Sequence, residues 1–283
     1  MSSVRTVTVL GAGTMGHGIA HAATTSGYET RLYDVSDTQL GKARAQIEAV
    51  LRKSVELGKA SAADVDTALG RLTCTSDVAA ALGGTDFVIE AAPERIDLKL
   101  QLISEIDRHA PASATVATNT SALSITEMAG ASKNAARVVG MHFFNPVHRM
   151  KLVEIVRALE SSDAALGVVA DVAKAMGKET VVVRESPGFI TTRVNASIGN
   201  EAFYMLMEGV ASARDIDKAL KLGLNHPMGP FELVDLVGLD TRLSILEYLH
   251  RSLGEKYRPC PLLAQYVKAG RLGRKVGRGV YEY

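Results

Sequence analysis

The chain predicts an α/β domain built on a mostly parallel sheet, followed by an all-helical domain, and three observations carry that prediction. Short β-branched runs alternate with helical spacing from Val4 to Arg184. A glycine-rich turn, Gly11-Ala12-Gly13-Thr14-Met15-Gly16, joins the first strand to the first helix. After Glu185-Ser186-Pro187-Gly188 the strands give way to apolar residues at helical spacing, so domains are expected over 1–185 and 186–283. A length of 283 residues supports two cores of ordinary size.

The first strand, Val4 to Leu10, alternates and leads directly into the GxGxxG turn and the helical stretch HGIAHAATTSG. That context gives the motif its physics and makes the fold Rossmann-type. Gly11 permits the tight turn, Gly13 lets backbone approach a pyrophosphate, and Gly16 lets the helix pack on the sheet; Thr14 and Met15 open the helix whose N-terminus faces the phosphates. Tyr28 to Asp34 is the second strand, ending in an acid placed to accept the ribose hydroxyls of NAD. Asp34 would repel the 2′-phosphate of NADP, and Val35-Ser36 offers no arginine to receive one, so NAD is the expected cofactor.

From Ser36 to Leu72 the spacing of Leu40, Ile47, Val50, Leu51 and Val55 predicts a helical excursion from the sheet. Its basic residues Lys42, Arg44, Arg52, Lys53 and Lys59 read as a solvated face or as contacts to a large anionic substrate. Asp86 to Ala91 is a buried strand, and Pro93-Glu94 is expected to start a helix carrying Lys99. The strand Thr115 to Ala117 precedes Thr118-Asn119-Thr120-Ser121, which is either a polar contact set at a strand's carboxyl end or a cap for a helix starting at Ile125. Glu179 to Arg184 is the last strand.

RVVGMHFFNPVHRMKLVEIV, from Arg137 to Val156, is where chemistry is expected. It reads as two strands around a proline connection at Pro146. In an antiparallel hairpin centred near His148, His142 and Glu154 face one another, with Cβ atoms about 4.5 to 5.5 Å apart. The carboxylate would accept the Nδ1 proton and leave Nε2 free to take a proton from a substrate hydroxyl. That is a general base with its orienting acid.

In the second half, Ser186 and Pro187 are expected to start a long helix whose buried stripe is Ile190, Val194, Ile198 and Ala202. A capping-box-like start at Ser212 with Asp215 opens the next, and further helices follow from Phe231, Asp240 and Leu262. Strand pattern returns only at Val280-Tyr281.

A formal charge of +1 with both signs interspersed gives no field that would hold nucleic acid or an anionic membrane. The two cysteines, Cys74 and Cys260, lack metal-ligand spacing, so no metal is expected and a reducing compartment is favoured. No apolar run approaches the roughly 20 residues of a membrane helix, and the first strand leaves no room for a signal sequence. The expectation is a soluble, cytoplasmic protein.

Taken together, GAGTMG with Asp34, EAAPE with Lys99, NTSAL, HFFNPVHRMKLVEIV, SPGFI and HPMGPFELVDLVGLDT resemble the 3-hydroxyacyl-CoA dehydrogenase family, most of all its bacterial 3-hydroxybutyryl-CoA dehydrogenases, over nearly the whole chain. The resemblance implies NAD-dependent interconversion of (S)-3-hydroxyacyl-CoA and 3-oxoacyl-CoA. It implies His142 as base, Glu154 as its partner and Ser121 at the reacting oxygen. Glu94, Lys99, Ser121, Asn145 and Lys275 would lie around the cofactor, and the helical domain would close the pocket and form a homodimer. The chain departs from the family where an Asn is expected to help bind substrate: Thr192 stands there, with Asn195 as the rival. Beside this stand a protein that binds NAD without turnover, which would have no need of His142 opposite Glu154, and a dehydrogenase of a free hydroxy or sugar acid.

Overall fold

A computed structural model describes residues 4–283; the first three positions of the domain expected over 1–185 lie outside the described residues. The chain forms two compact units, one ending at Glu185 and one spanning Ser186–Tyr283.

The first unit begins with β1 (Thr6–Leu10), α1 (Thr14–Thr25) and β2 (Glu29–Tyr33). The excursion is the helical pair α2 (Asp37–Glu56) and α3 (Ala62–Gly70), each capped by a serine, Ser36 and Ser61, that accepts an N–H otherwise left unsatisfied in the first turn. β3 (Leu72–Thr75) and α4 (Val78–Leu82) return the chain to the sheet. The sequence did not announce these two, because elements of four and five residues are shorter than the window over which periodicity becomes visible. β4 (Phe87–Glu90), α5 (Ile96–His109), β5 (Thr115–Thr118), α6 (Ile125–Gly130), β6 (Val138–Phe143), β7 (Leu152–Arg157), α7 (Asp163–Ala175) and β8 (Glu179–Arg184) complete the unit.

The sheet has eight strands in the order β3-β2-β1-β4-β5-β6-β7-β8. It is parallel from β3 to β6; β7 pairs antiparallel with β6, and β8 runs parallel to β7. The connection reverses between β1 and β4, and ligands of open α/β sheets bind at the carboxyl ends of the strands at such a point. Helices cover the sheet, so its central strands read as continuous apolar runs: Val7, Val9, Leu32, Phe87 and Ile89 are fully enclosed. On the excursion, Arg52 pairs with Glu48 and Asp66, and Lys53 with Glu56, which favours the solvated-face reading of these two residues.

One partly buried group on α1 is expected to make the fold sensitive to acid. His21 on α1 has an Nδ1 without a hydrogen-bond partner, and its ring lies 6.0 Å from that of His148. Burial first, then the neighbouring His148, His17 and Lys178, hold its pKa down to about 4 from 6.5. The unfolded chain binds this proton first, so stability is expected to be lost as pH falls from 6.5 toward 4. Urea titrations across that window should show a flatter loss for His21→Gln.

The second unit is helical: α8 (Thr191–Met207), α9 (Ala213–Gly223), α10 (Pro230–Val237), α11 (Leu239–Leu253) and α12 (Pro261–Lys268). Ser212 caps α9 through Asp215 N–H, as its sequence suggests. Two expectations are corrected. α8 starts at Thr191 and not at Ser186-Pro187, because Gly188 (φ 74°) and Phe189 (φ 49°) take left-handed conformations that a helix cannot include. Its buried face is Ala196, Gly199, Asn200, Ala202 and Phe203, whereas Ile190 and Val194 are about half exposed at 51% and 53%. Small residues face inward because α10 packs close: a Cβ on Gly199 would come within 3.1 Å of the Val234 side chain. Near the C-terminus only isolated bridges form, Gly273 with Arg278 and Arg278 with Glu282. Among the described residues no helix is long and apolar enough to cross a membrane.

Candidate active site

The glycine turn after β1 is a cradle. A Cβ on Gly11 (φ 103°) would come within 2.7 Å of the Ala91 carbonyl, and one on Gly16 within 1.7 Å of the Gly11 carbonyl, so both positions require glycine for close backbone packing. A Cβ on Gly13 would meet nothing within 4 Å, which leaves that side open for a ligand to approach. α1 has no side-chain cap, so its first N–H groups, beginning with Thr14 and Met15, are not claimed by one. They form an anion site at a helix N-terminus. Asp34 fastens the turn from the end of β2: its carboxylate accepts Ala12 N–H at 2.9 Å and Ser36 N–H at 3.0 Å. These residues fit the pyrophosphate and ribose of NAD.

The antiparallel ladder between β6 and β7 pairs His142 with Glu154, the opposition expected from the hairpin centre. Nδ1 of His142 lies 2.7 Å from a Glu154 oxygen, and the two residues are 4% and 0% exposed. A carboxylate can only accept, so Nδ1–H donates to Glu154 and Nε2 is left as the acceptor. Nε2 in turn lies 3.1 Å from the Ser121 hydroxyl. Phe144 packs against the imidazole, with ring centroids 4.6 Å apart. Gly140 lets α6 settle on the hairpin, because a Cβ there would collide with Ile125 at 2.4 Å and Val156 at 2.7 Å.

The Thr118–Ser121 segment does not cap α6, whose cap is Ser124, and its side chains bond to neighbouring elements instead. Thr118 donates to Glu90 at 2.6 Å, Asn119 accepts Phe143 N–H at 2.8 Å, and Thr120 donates to Glu94 at 2.5 Å. The helix expected from Pro93-Glu94 begins instead at Ile96. Glu94 is thereby free of the helix and turns its carboxylate to Ser121 N–H and Ala122 N–H.

Lys99 is 1% exposed, and its ammonium reaches both Glu90 oxygens at 2.8 Å and the Ala92 carbonyl at 3.2 Å. With three acceptors for three N–H groups, Lys99 is held in place by Glu90 and the Ala92 carbonyl. Glu90 was not singled out from sequence; the available signal was an acid ending a fully apolar strand. Asn145 borders a small cavity shared with Thr14, His17, His21 and His148. Thr192 and Lys275 belong to the second unit, where Thr192 is half-buried in the first turn of α8 and Lys275 pairs with both Asp240 oxygens at 2.7 Å.

Residues 6–186 match the family described as 3-hydroxyacyl-CoA dehydrogenase, NAD binding domain, and residues 188–283 match its C-terminal domain. A probable 3-hydroxybutyryl-CoA dehydrogenase of Bacillus subtilis is 45% identical over 99% of this chain and 98% of its own length. The 3-hydroxybutyryl-CoA dehydrogenase of Bradyrhizobium diazoefficiens is 42% identical over 99% and 96%. The crystal structure of an (S)-3-hydroxybutyryl-CoA dehydrogenase from Ralstonia eutropha superposes with a TM-score of 0.96 at 44% identity, covering 99% of both chains. A dinucleotide cradle, a histidine held by a buried glutamate, and matches running through both halves lead to one conclusion: the chain belongs to the 3-hydroxyacyl-CoA dehydrogenase family.

Proposed function

We propose that this protein is an NAD-dependent oxidoreductase interconverting (S)-3-hydroxyacyl-CoA, with 3-hydroxybutyryl-CoA foremost, and 3-oxoacyl-CoA, using His142 as general base. The observation that carries the proposal is the row Ser121, His142, Glu154, with 3.1 Å between the hydroxyl and Nε2 and 2.7 Å between Nδ1 and the carboxylate. In the oxidative direction Nε2 takes the proton of the substrate 3-hydroxyl, and Ser121 holds the oxygen in line. Glu154 stabilises the imidazolium that results, through a charge-assisted hydrogen bond in a buried setting. NAD, when bound, supplies the acceptor for the hydride from C3. In reduction the same residues run in reverse, and His142 gives the proton back to the oxygen. A protein that only bound NAD would gain nothing from this row.

The cradle and Asp34 support NAD over NADP. Wild-type kcat/KM is expected to be higher with NADH than with NADPH, and Asp34→Ala to weaken NADH and narrow the preference. Steady-state kinetics with both cofactors check this, and a wild-type preference for NADPH would contradict it.

Glu94, Asn145 and Lys275 remain proposed cofactor neighbours on the strength of the resemblance, and Thr192 the hydrogen-bond donor in the position of the family's Asn. Comparing kcat/KM for alanine at 192 and at 195 decides between Thr192 and Asn195. Exposed apolar residues of the second unit, among them Ile190, Val194, Val210 and Leu236, support a homodimer. Two free thiols, Cys74 and Cys260, support a cytoplasmic setting. The function is tested by adding acetoacetyl-CoA or free acetoacetate to enzyme and NADH. Loss of NADH absorbance with the thioester alone is the expected result; equal turnover of acetoacetate would favour a free-acid dehydrogenase.

A further inference from the structure

Ser121 sits in a segment, 119–124, without helix or strand, so something outside its own backbone must hold its hydroxyl at His142. Glu94 does this. One carboxylate oxygen gathers the Thr120 hydroxyl at 2.5 Å, Ser121 N–H at 2.9 Å and Ala122 N–H at 3.2 Å. The other oxygen lies 3.6 Å from the Lys99 ammonium. Lys99 is fixed by Glu90, which also accepts Ala92 N–H at 2.7 Å and the Thr118 hydroxyl at 2.6 Å. Charges therefore alternate from Glu90 through Lys99 to Glu94, and that last carboxylate meets the backbone of the residue facing the base. A charged acceptor with three donors makes stronger hydrogen bonds than a neutral one.

We infer that Glu94 is a positioning residue that acts on the reaction through Ser121, with the buried Glu90–Lys99 pair fixing Glu94 in turn; the inference rests on the roles proposed above for His142 and Ser121. It gives Glu94 a task in addition to the cofactor contact proposed above. Glutamine at 94 keeps an amide oxygen for the segment but turns away the charge that faces Lys99, so it should restore much of what alanine loses.

The test is a double-mutant cycle on Glu94→Ala and Ser121→Ala, with His142→Ala as reference, measuring kcat for acetoacetyl-CoA reduction and NADH affinity by fluorescence titration. Glu94→Ala is expected to lower kcat about 10²-fold, the scale of a misplacement near 1 Å. NADH affinity should fall by far less than kcat, urea unfolding should show that the variant is folded, and Glu94→Gln should recover most of the rate. In a Ser121→Ala background the further loss from Glu94→Ala should be within about twofold, because both changes remove one interaction. Multiplying effects, or a loss confined to NADH affinity, would overturn the assignment and return Glu94 to the cofactor. If His142→Ala kept its activity, the proposed function would fall and this inference with it; collapse of His142→Ala beside multiplying effects of Glu94 and Ser121 overturns the inference alone.

Discussion

His142→Ala is expected to lower kcat by about 10² to 10⁴ while leaving NADH affinity nearly unchanged, the range that a positioned acid-base group contributes. The imidazole is the group that can take the 3-hydroxyl proton while its ring is held by a buried carboxylate at 2.7 Å. Glu154→Ala should act almost as strongly for a different reason: the ring loses the acceptor that fixes its tautomer, and the imidazolium forms without a counter-charge. Glu154 is fully enclosed, so water cannot fill that role at low cost. Glu154→Gln should fall between, because an amide oxygen can accept Nδ1–H but carries no charge. Steady-state kinetics and NADH titration on the three variants check this. A parallel fall in cofactor affinity would make the pair structural.

Lys99→Met is expected to destabilise the fold by about 3 to 5 kcal/mol, the cost of leaving a buried carboxylate without its cation. Glu90 is 0% exposed, and Lys99 at 2.8 Å supplies the positive charge beside it. The Thr118 hydroxyl and Ala92 N–H remain as donors to Glu90 but bring no charge. Pairing the change with Glu90→Gln should recover much of the loss, since removing both charges of a buried pair costs far less than removing one. Lys53→Met is the contrast. Its pair with Glu56 is 64% exposed on both sides, and breaking it should cost less than about 1 kcal/mol. Urea unfolding of the three variants beside the wild type measures all of this, and a Lys99→Met loss as small as that of Lys53→Met would contradict the reading.

Much of the site was legible before the structure. The opposition of His142 and Glu154 followed from their equal distance from the hairpin centre, because register in a hairpin is set by its connection. The glycine turn was legible because its context, strand before and helix after, restricts what it can do. The role of Glu94 was hidden for the opposite reason. Its hydrogen bonds reach Thr120, Ser121 and Ala122 across a gap in sequence that no local pattern records, and the proline before it suggested a helix start. Lys99 was placed near the cofactor by resemblance alone, and because a lysine is seldom fully buried, only the three-dimensional neighbourhood reveals Glu90 beneath it. In the second unit the expected apolar stripe of α8 holds only in part: Ala202 is buried, while Ile190 and Val194 are about half exposed. Periodicity identifies a helix with large apolar residues along one side, but small residues such as Ala196 and Gly199 mark the side that packs closest.

The destination of the hydride defines the proposed reaction. Enzyme incubated with acetoacetyl-CoA and NADH carrying two deuterons at nicotinamide C4 is expected to yield 3-hydroxybutyryl-CoA with one deuteron at C3, read by mass spectrometry, and His142→Ala to yield far less in the same time. Unlabelled product, no product from the wild-type enzyme, or equal labelling by His142→Ala would contradict it.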